Sequence, residues 1–211
     1  MWEEHGIEEA ALLEKLSAKK VPKQFRTHDD IRNWIGDCHR CALAKGRNKL
    51  VFGTGNPQAE LMFVGEGPGA DEDAQGLPFV GRAGQLLTKI IEAMDLTRDA
   101  VYIANIVKCR PPNNRVPEPA EVAACLPFLK AQVQLVRPRL IVALGLTAAT
   151  TLTGKTTTLS NLRGTFQSLV WNETIPVLST YHPAYLLRNQ DAKKIVWEDM
   201  KLVIKRLKEC L

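Results

Sequence analysis

A chain of 211 residues, 45% hydrophobic and 24% charged, is long enough to bury one sizeable core, so one domain over 1–211 is expected. No apolar run approaches the roughly 18 residues of a membrane helix, and no membrane partner is expected. The net charge of +5 leans toward a polyanionic partner, but Lys108, Arg110, Arg115, Arg137, Arg139, Arg163 and Arg188 are dispersed, which excludes a disordered basic tail.

The first residues carry Glu3, Glu4, Glu8 and Glu9 and lack the basic and apolar regions of a secretory signal, so a cytoplasmic location is expected. Residues 1–33 read as an amino-terminal helical extension and a loop laid on the domain. Four apolar, β-branched runs follow at 61–64, 101–107, 140–144 and 175–178. Each is continuous, as in strands covered on both faces. Between them, "AGQLLTKIIEAM" puts Leu86, Leu87, Ile90, Ile91 and Met94 on one helical face. "PEPAEVAACLPFLKAQVQLV" opens as a helix that Pro127 should kink or interrupt. "LRGTFQSLVW" is a local β excursion, and "DAKKIVWEDMKLVIKRLKECL" is a helix with Ile195, Val196, Met200, Val203 and Leu207 on its apolar stripe. The alternation predicts an α/β fold, a three-layer α/β/α sandwich around a four-stranded parallel sheet.

The stretch "GEGPGADEDAQGLPFVGRAG" (65–84) follows the first run, at the strand end where open α/β sheets place ligands. Gly65, Gly67 and Ala70 fit a loose dinucleotide fingerprint, which admits a dinucleotide-binding oxidoreductase as an alternative. Against it, Glu66, Asp71, Glu72 and Asp73 would repel a pyrophosphate, and no helix is expected directly after the glycines. "GKTT" (154–157) lacks the first glycine of a P-loop and reads as a polar turn. Clustered acids, close-packing glycines and Phe79 suit a slot for a flat neutral ring beside a site that develops positive charge.

Asn105 lies among apolar neighbours in "VYIANIVKCRPPNNR", where its amide must find a partner and could read the edge of a base. In "YHPAYLLRN", His182 sits on a short loop stiffened by Pro183, and Tyr185, Leu186 and Leu187 with Arg188 form an apolar tip suited to a nucleic-acid groove. Three polar loops at strand ends converge on one site. Cys38 and Cys41 form C-x₂-C, with Cys109 and Cys125 sixteen residues apart. Four such thiolates can hold zinc or a [4Fe-4S] cluster, and a disulfide framework is not expected in the cytoplasm.

Together, "GEGPGADEDAQGLPFVGRAGQLL", "NIVKCRPPNNR", "YHPAYLLRN" and the four cysteines resemble the family 4 uracil-DNA glycosylases, over about residues 38–190. The resemblance implies base flipping and hydrolysis of the N-glycosidic bond of uracil in single- or double-stranded DNA. It assigns catalytic roles to Glu66, Glu72 and His182, and uracil binding to Gly65, Gly67, Phe79 and Asn105. Leu186, Leu187 and Arg188 are assigned to DNA, filling the gap left by the extruded base. It favours a [4Fe-4S] cluster on Cys38, Cys41, Cys109 and Cys125. One acid would position water or stabilise a cationic sugar, and Glu72 would also crowd the place of a thymine methyl. Gly67 stands where other branches carry a water-activating aspartate or asparagine, so the water-activating group is open. Relatives acting on hypoxanthine, xanthine or mismatched bases are the alternative within the superfamily. A monomer is expected, and a sliding-clamp partner is left open.

Overall fold

The computed structural model describes residues 25–209, so Cys210 and most of the amino-terminal extension lie outside the described residues. Helix α1 (His28–Ile35) opens with a reciprocal cap: the Asp30 N–H donates to Thr27 Oγ1 at 3.1 Å, and the Thr27 N–H donates to the Asp30 carboxylate at 2.8 Å. Two otherwise orphaned donors are thereby satisfied. Then come β1 (Thr54–Gly55), β2 (Leu61–Gly65), α2 (Ala70–Gln75), α3 (Arg82–Ala93), β3 (Tyr102–Asn105), α4 (Pro119–Val136) and β4 (Leu140–Leu144). The chain continues through α5 (Leu146–Thr153), α6 (Leu159–Leu162), β5 (Phe166–Leu169), β6 (Asn172–Thr180), α7 (Pro183–Leu186) and α8 (Ala192–Lys208).

The sheet has six strands in the order β1-β3-β2-β4-β6-β5, which corrects the expected four-stranded parallel sheet. The four strands read from the sequence, β2, β3, β4 and β6, do form a parallel centre. To these the structure adds β1, antiparallel to β3, and the expected β excursion of 162–171 supplies β5, antiparallel to β6. Edge strands carry no continuous apolar run because only one flank is covered: β1 is two half-buried residues, and β5 buries only Leu169.

Alternate residues of the central strands feed two cores. Met62, Val64, Ala104, Ile141, Ala143 and Val177 face the side packed by α1, α4 and α5. Leu61, Phe63, Ile103, Leu140, Val142 and Leu178 face the side packed by α3 and α8. The period-two alternation of a strand thus produces three layers. Adjacent β2 and β4 send their connections to opposite faces, α3 to one and α5 to the other, which opens a crevice at their carboxyl ends.

Three local expectations are corrected. Helix α4 runs unbroken through Pro127: the ring removes one N–H donor, but Val122, Ala123, Leu126, Phe128 and Leu129 are all buried around it, and packing outweighs the lost bond. A helix, α2, does open directly after the glycines, yet Gly69 N–H is met by the helix's own Glu72 carboxylate at 3.1 Å, so no anion site results. On α8, Ile195 is 38% exposed, and the buried stripe is Ala192, Val196, Asp199, Met200 and Val203. Buried Asp199 accepts from Thr180 Oγ1 at 2.6 Å and from Arg163 Nη2 at 2.8 Å, latching α8 to the end of β6. Among the described residues no helix is long and apolar enough to cross a membrane.

Candidate active site

The crevice is built first by backbone register. Gly65 and Asn105, the last residues of β2 and β3, are parallel partners, and the chain beyond them stays paired through Ile106 N–H to Gly65 O and Val107 N–H to Glu66 O. Gly65 is required by close approach: a Cβ there would lie 2.5 Å from Asn105 Oδ1 and 2.5 Å from Phe79 Cζ. A Cβ on Gly67 would likewise lie 2.8 Å from Val107. Asn105 is 2% exposed, and its buried Oδ1 has no hydrogen-bond partner. An orphaned buried polar atom is costly unless a ligand completes it.

Phe79 lies beside this carboxamide with φ at 52°, a left-handed backbone rare for a bulky residue. The loop is gripped from both sides. Glu72 accepts from the N–H groups of Val80 and Gly81 at 2.8 and 2.9 Å, and Arg98 Nη2 donates to Pro78 O at 2.6 Å. The Glu72 carboxylate therefore spends its acceptors on backbone, which fits a positioning part rather than direct chemistry.

His182 is the N-cap of α7, and its ring centroid lies 5.5 Å from that of Phe79. Nδ1 accepts from the Ala184 N–H at 3.1 Å, which leaves Nε2 as the donor of the neutral ring. Burial pushes its pKa down to about 4, against the pull of the nearby Glu72 charge, so the ring is neutral near pH 7. Pro183 starts a helical turn here instead of a bare loop, because proline suits the first helical position.

Glu66 is half-buried on the loop after β2 and accepts from Thr147 Oγ1. Thus Gly65, Gly67, Phe79, Asn105, Glu66, Glu72 and His182 gather at one end of the sheet. The groove tip divides differently from the sequence expectation: Leu186 is 1% exposed in the core under α3 and α8, and Leu187 is half-buried. Arg188 is exposed, as is Tyr185 at 40%, stacked on Tyr181 at 4.9 Å. Helical spacing on α7 turns Leu186 inward.

Cys38, Cys109 and Cys125 are buried and Cys41 half-buried, all as free thiols. Cys41, Cys109 and Cys125 each feel the charge of at least one other of the four. Donors face three of the sulfurs: Arg40 Nη1 to Cys38 at 3.3 Å, Arg47 Nη1 to Cys109 at 3.6 Å, and the Lys108 N–H to Cys125 at 3.2 Å. Burial raises the pKa of Cys41, Cys109 and Cys125, the last to about 12. Among the described residues no three His, Cys, Asp or Glu side chains are grouped to hold one metal ion. The donor chemistry nevertheless suits an anionic thiolate-ligated group, because N–H···S bonds and two guanidinium groups offset thiolate charge.

Three site-supporting residues were not read from the sequence. Lys108 is 1% exposed and donates from Nζ to Asn105 O at 2.8 Å and to Gln132 Oε1 at 2.6 Å, fixing the backbone of the orphaned asparagine. Asp73 is buried, receiving the N–H and side-chain amide of Asn48. Thr147 reaches Glu66 from the first turn of α5. For Lys108, the one available signal was a lysine in an apolar run.

The family described as the uracil DNA glycosylase superfamily matches residues 52–201. The chain is 47% identical over 170 residues to a type-4 uracil-DNA glycosylase of Thermotoga maritima, covering 79% of this chain and 88% of the relative. It is 44% identical to that of Sulfurisphaera tokodaii, covering 83% and 82%, and 42% identical to that of Archaeoglobus fulgidus, covering 83% and 90%. A match of this extent, on a chain whose crevice carries the glycine, aromatic, asparagine and histidine loops, identifies it as a member of the uracil DNA glycosylase superfamily, in the type-4 branch.

Proposed function

We propose that this protein is a DNA repair glycosylase that releases uracil from single- or double-stranded DNA and leaves an abasic site. The observation that carries the reading is the unpartnered buried Oδ1 of Asn105 beside Phe79, whose ring stands 5.5 Å from that of a neutral His182. Uracil is flat, with an imide N–H donor flanked by carbonyl acceptors, and would complete that amide while stacking on Phe79.

In the reaction the bond from sugar C1′ to uracil N1 breaks, and its electron pair leaves with the base. Negative charge grows on the base oxygen, where the Nε2–H of His182 donates without giving up its proton. Glu66 faces the sugar side, stabilising positive charge at C1′ and orienting the water whose oxygen bonds to C1′. One of that water's protons stays on the new C1′ hydroxyl, and the other passes through solvent to the departing base. Glu72 acts through the Phe79 loop. Arg188 and Leu187, with Tyr185, contact the DNA beside the extruded nucleotide.

Cys38, Cys41, Cys109 and Cys125 would hold a [4Fe-4S] cluster, which when bound joins the 38–41 segment to the strand-end segment carrying Asn105 and Lys108. The donors from Arg40, Arg47 and Lys108 support that set. Incubation with an oligonucleotide holding one uracil, followed by alkali, tests the function. Scission dependent on uracil is expected; intact strands would overturn it.

A further inference from the structure

We infer that Thr147 is a positioning residue for glycosidic-bond hydrolysis, fixing the Glu66 carboxylate across the crevice between β2 and β4; this role rests on the glycosylase reading above. Its Oγ1 donates to Glu66 Oε2 at 2.5 Å across 81 residues of sequence. Among the described residues no other donor reaches that carboxylate.

The bond is distinguished from ordinary helix chemistry by the other threonines of α5. Thr150 turns its hydroxyl back to Leu146 O at 3.0 Å, and Thr153 turns to Ala149 O at 2.7 Å. Such back-bonding is the usual fate of a helical threonine. Thr147 also makes no cap to its own helix. It is half-buried, and a β-branched side chain has few rotamers, so the hydroxyl is held in place before substrate arrives. Donation to Oε2 leaves Oε1 available to accept from water, and a hydrogen bond to a charged acceptor is among the stronger kinds.

The same turn touches the second reacting side. The Gly145 N–H donates to Thr180 O at 2.9 Å, and a Cβ on Gly145 would lie 3.3 Å from that of His182. The junction of β4 and α5 thus contacts the supports of both the group facing the sugar and the group facing the base. It is a fourth active-site segment, beside the loops after β2, β3 and β6.

The test is single-turnover excision from a uracil-containing oligonucleotide by Thr147→Val, Thr147→Ala, Thr147→Ser, Glu66→Ala and the double variant Glu66→Ala with Thr147→Val. Thr147→Val, or Thr147→Ala should valine fail to fold, slows excision roughly tenfold with oligonucleotide affinity unchanged. Thr147→Ser, which keeps the hydroxyl, recovers most of that loss. In the Glu66→Ala background, Thr147→Val adds no further slowing. Equal slowing with and without Glu66, or a Thr147→Val enzyme at wild-type rate, overturns the role while leaving the glycosylase intact. Wild-type protein inert on uracil DNA overturns the glycosylase reading itself and this role with it.

Discussion

The backbone N–H of Ala184 donates to Nδ1 of His182 at 3.1 Å, so a main-chain group two residues away chooses the tautomer of the imidazole. The protonated ring would have to surrender this bond, which acts in the same direction as burial. With the folded pKa lowered to about 4 from 6.5, the unfolded chain binds the proton more readily between those values. This contribution to stability is full above pH 6.5 and is lost as pH falls toward 4, by up to about 3 kcal/mol. Thermal unfolding from pH 7 to pH 4 should therefore show a smaller fall in Tm for His182→Gln than for the wild type; parallel falls would refute the buried neutral ring.

The slot between Gly65, Asn105 and Phe79 has no room for one added methyl. Gly65→Ala should abolish measurable binding of free uracil in calorimetry and cut excision by about 10²-fold or more, with far-UV circular dichroism unchanged. Asn105→Ala should cost a similar factor in rate by a different route, losing the edge contacts while keeping the slot open. Full activity in either variant would move the base site elsewhere.

Removing the Glu72 carboxylate leaves three backbone N–H groups, those of Gly69, Val80 and Gly81, without their acceptor. Glu72→Ala should destabilise the fold by roughly 2 kcal/mol in urea unfolding, with Glu72→Gln milder because its amide oxygen still accepts. Excision by Glu72→Ala should fall in step with the freedom gained by Phe79, seen as weaker uracil binding. A slowed reaction at unchanged stability and unchanged uracil affinity would instead return Glu72 to direct chemistry.

Cys125 accepts from the Lys108 N–H in a buried setting, and Lys108 in turn holds the carbonyl of Asn105. Anaerobically purified wild type should be brown and contain about four irons per chain. Cys125→Ser should lose most of the visible absorbance and iron together, and should unfold at lower temperature. A colourless wild type containing zinc would reject the cluster.

The four central strands were legible because burial on both faces writes them as unbroken apolar runs, as in "LIVAL". Edge strand β5 was legible only as a local excursion in "LRGTFQSLVW", and β1 left no mark at all: Thr54 and Gly55 pair with β3 through backbone alone. The loops carrying Glu66, Phe79, Asn105 and His182 were legible as family motifs, and the fold gathers them at one end of the sheet. What no local pattern contains is the use to which a side chain is put by distant partners. Thr147 looks like any helical threonine until Glu66 is brought alongside it, and Leu186 looks like part of an exposed tip until α7 turns it inward. Lys108 would be taken for a surface charge without the carbonyl of Asn105 and the amide of Gln132 that enclose it.

The left-handed backbone at Phe79 places a limit on adaptation. A non-glycine residue in that region costs of order 1–3 kcal/mol, and glycine would relieve it while deleting the ring on which the base rests. Glycine would also forfeit the burial of a side chain only 6% exposed, a loss of about 3–5 kcal/mol that exceeds the relief, so the strained phenylalanine is kept even where folding alone is screened. Gains in thermal tolerance compatible with turnover must come from surfaces remote from the crevice, such as the solvent side of α8.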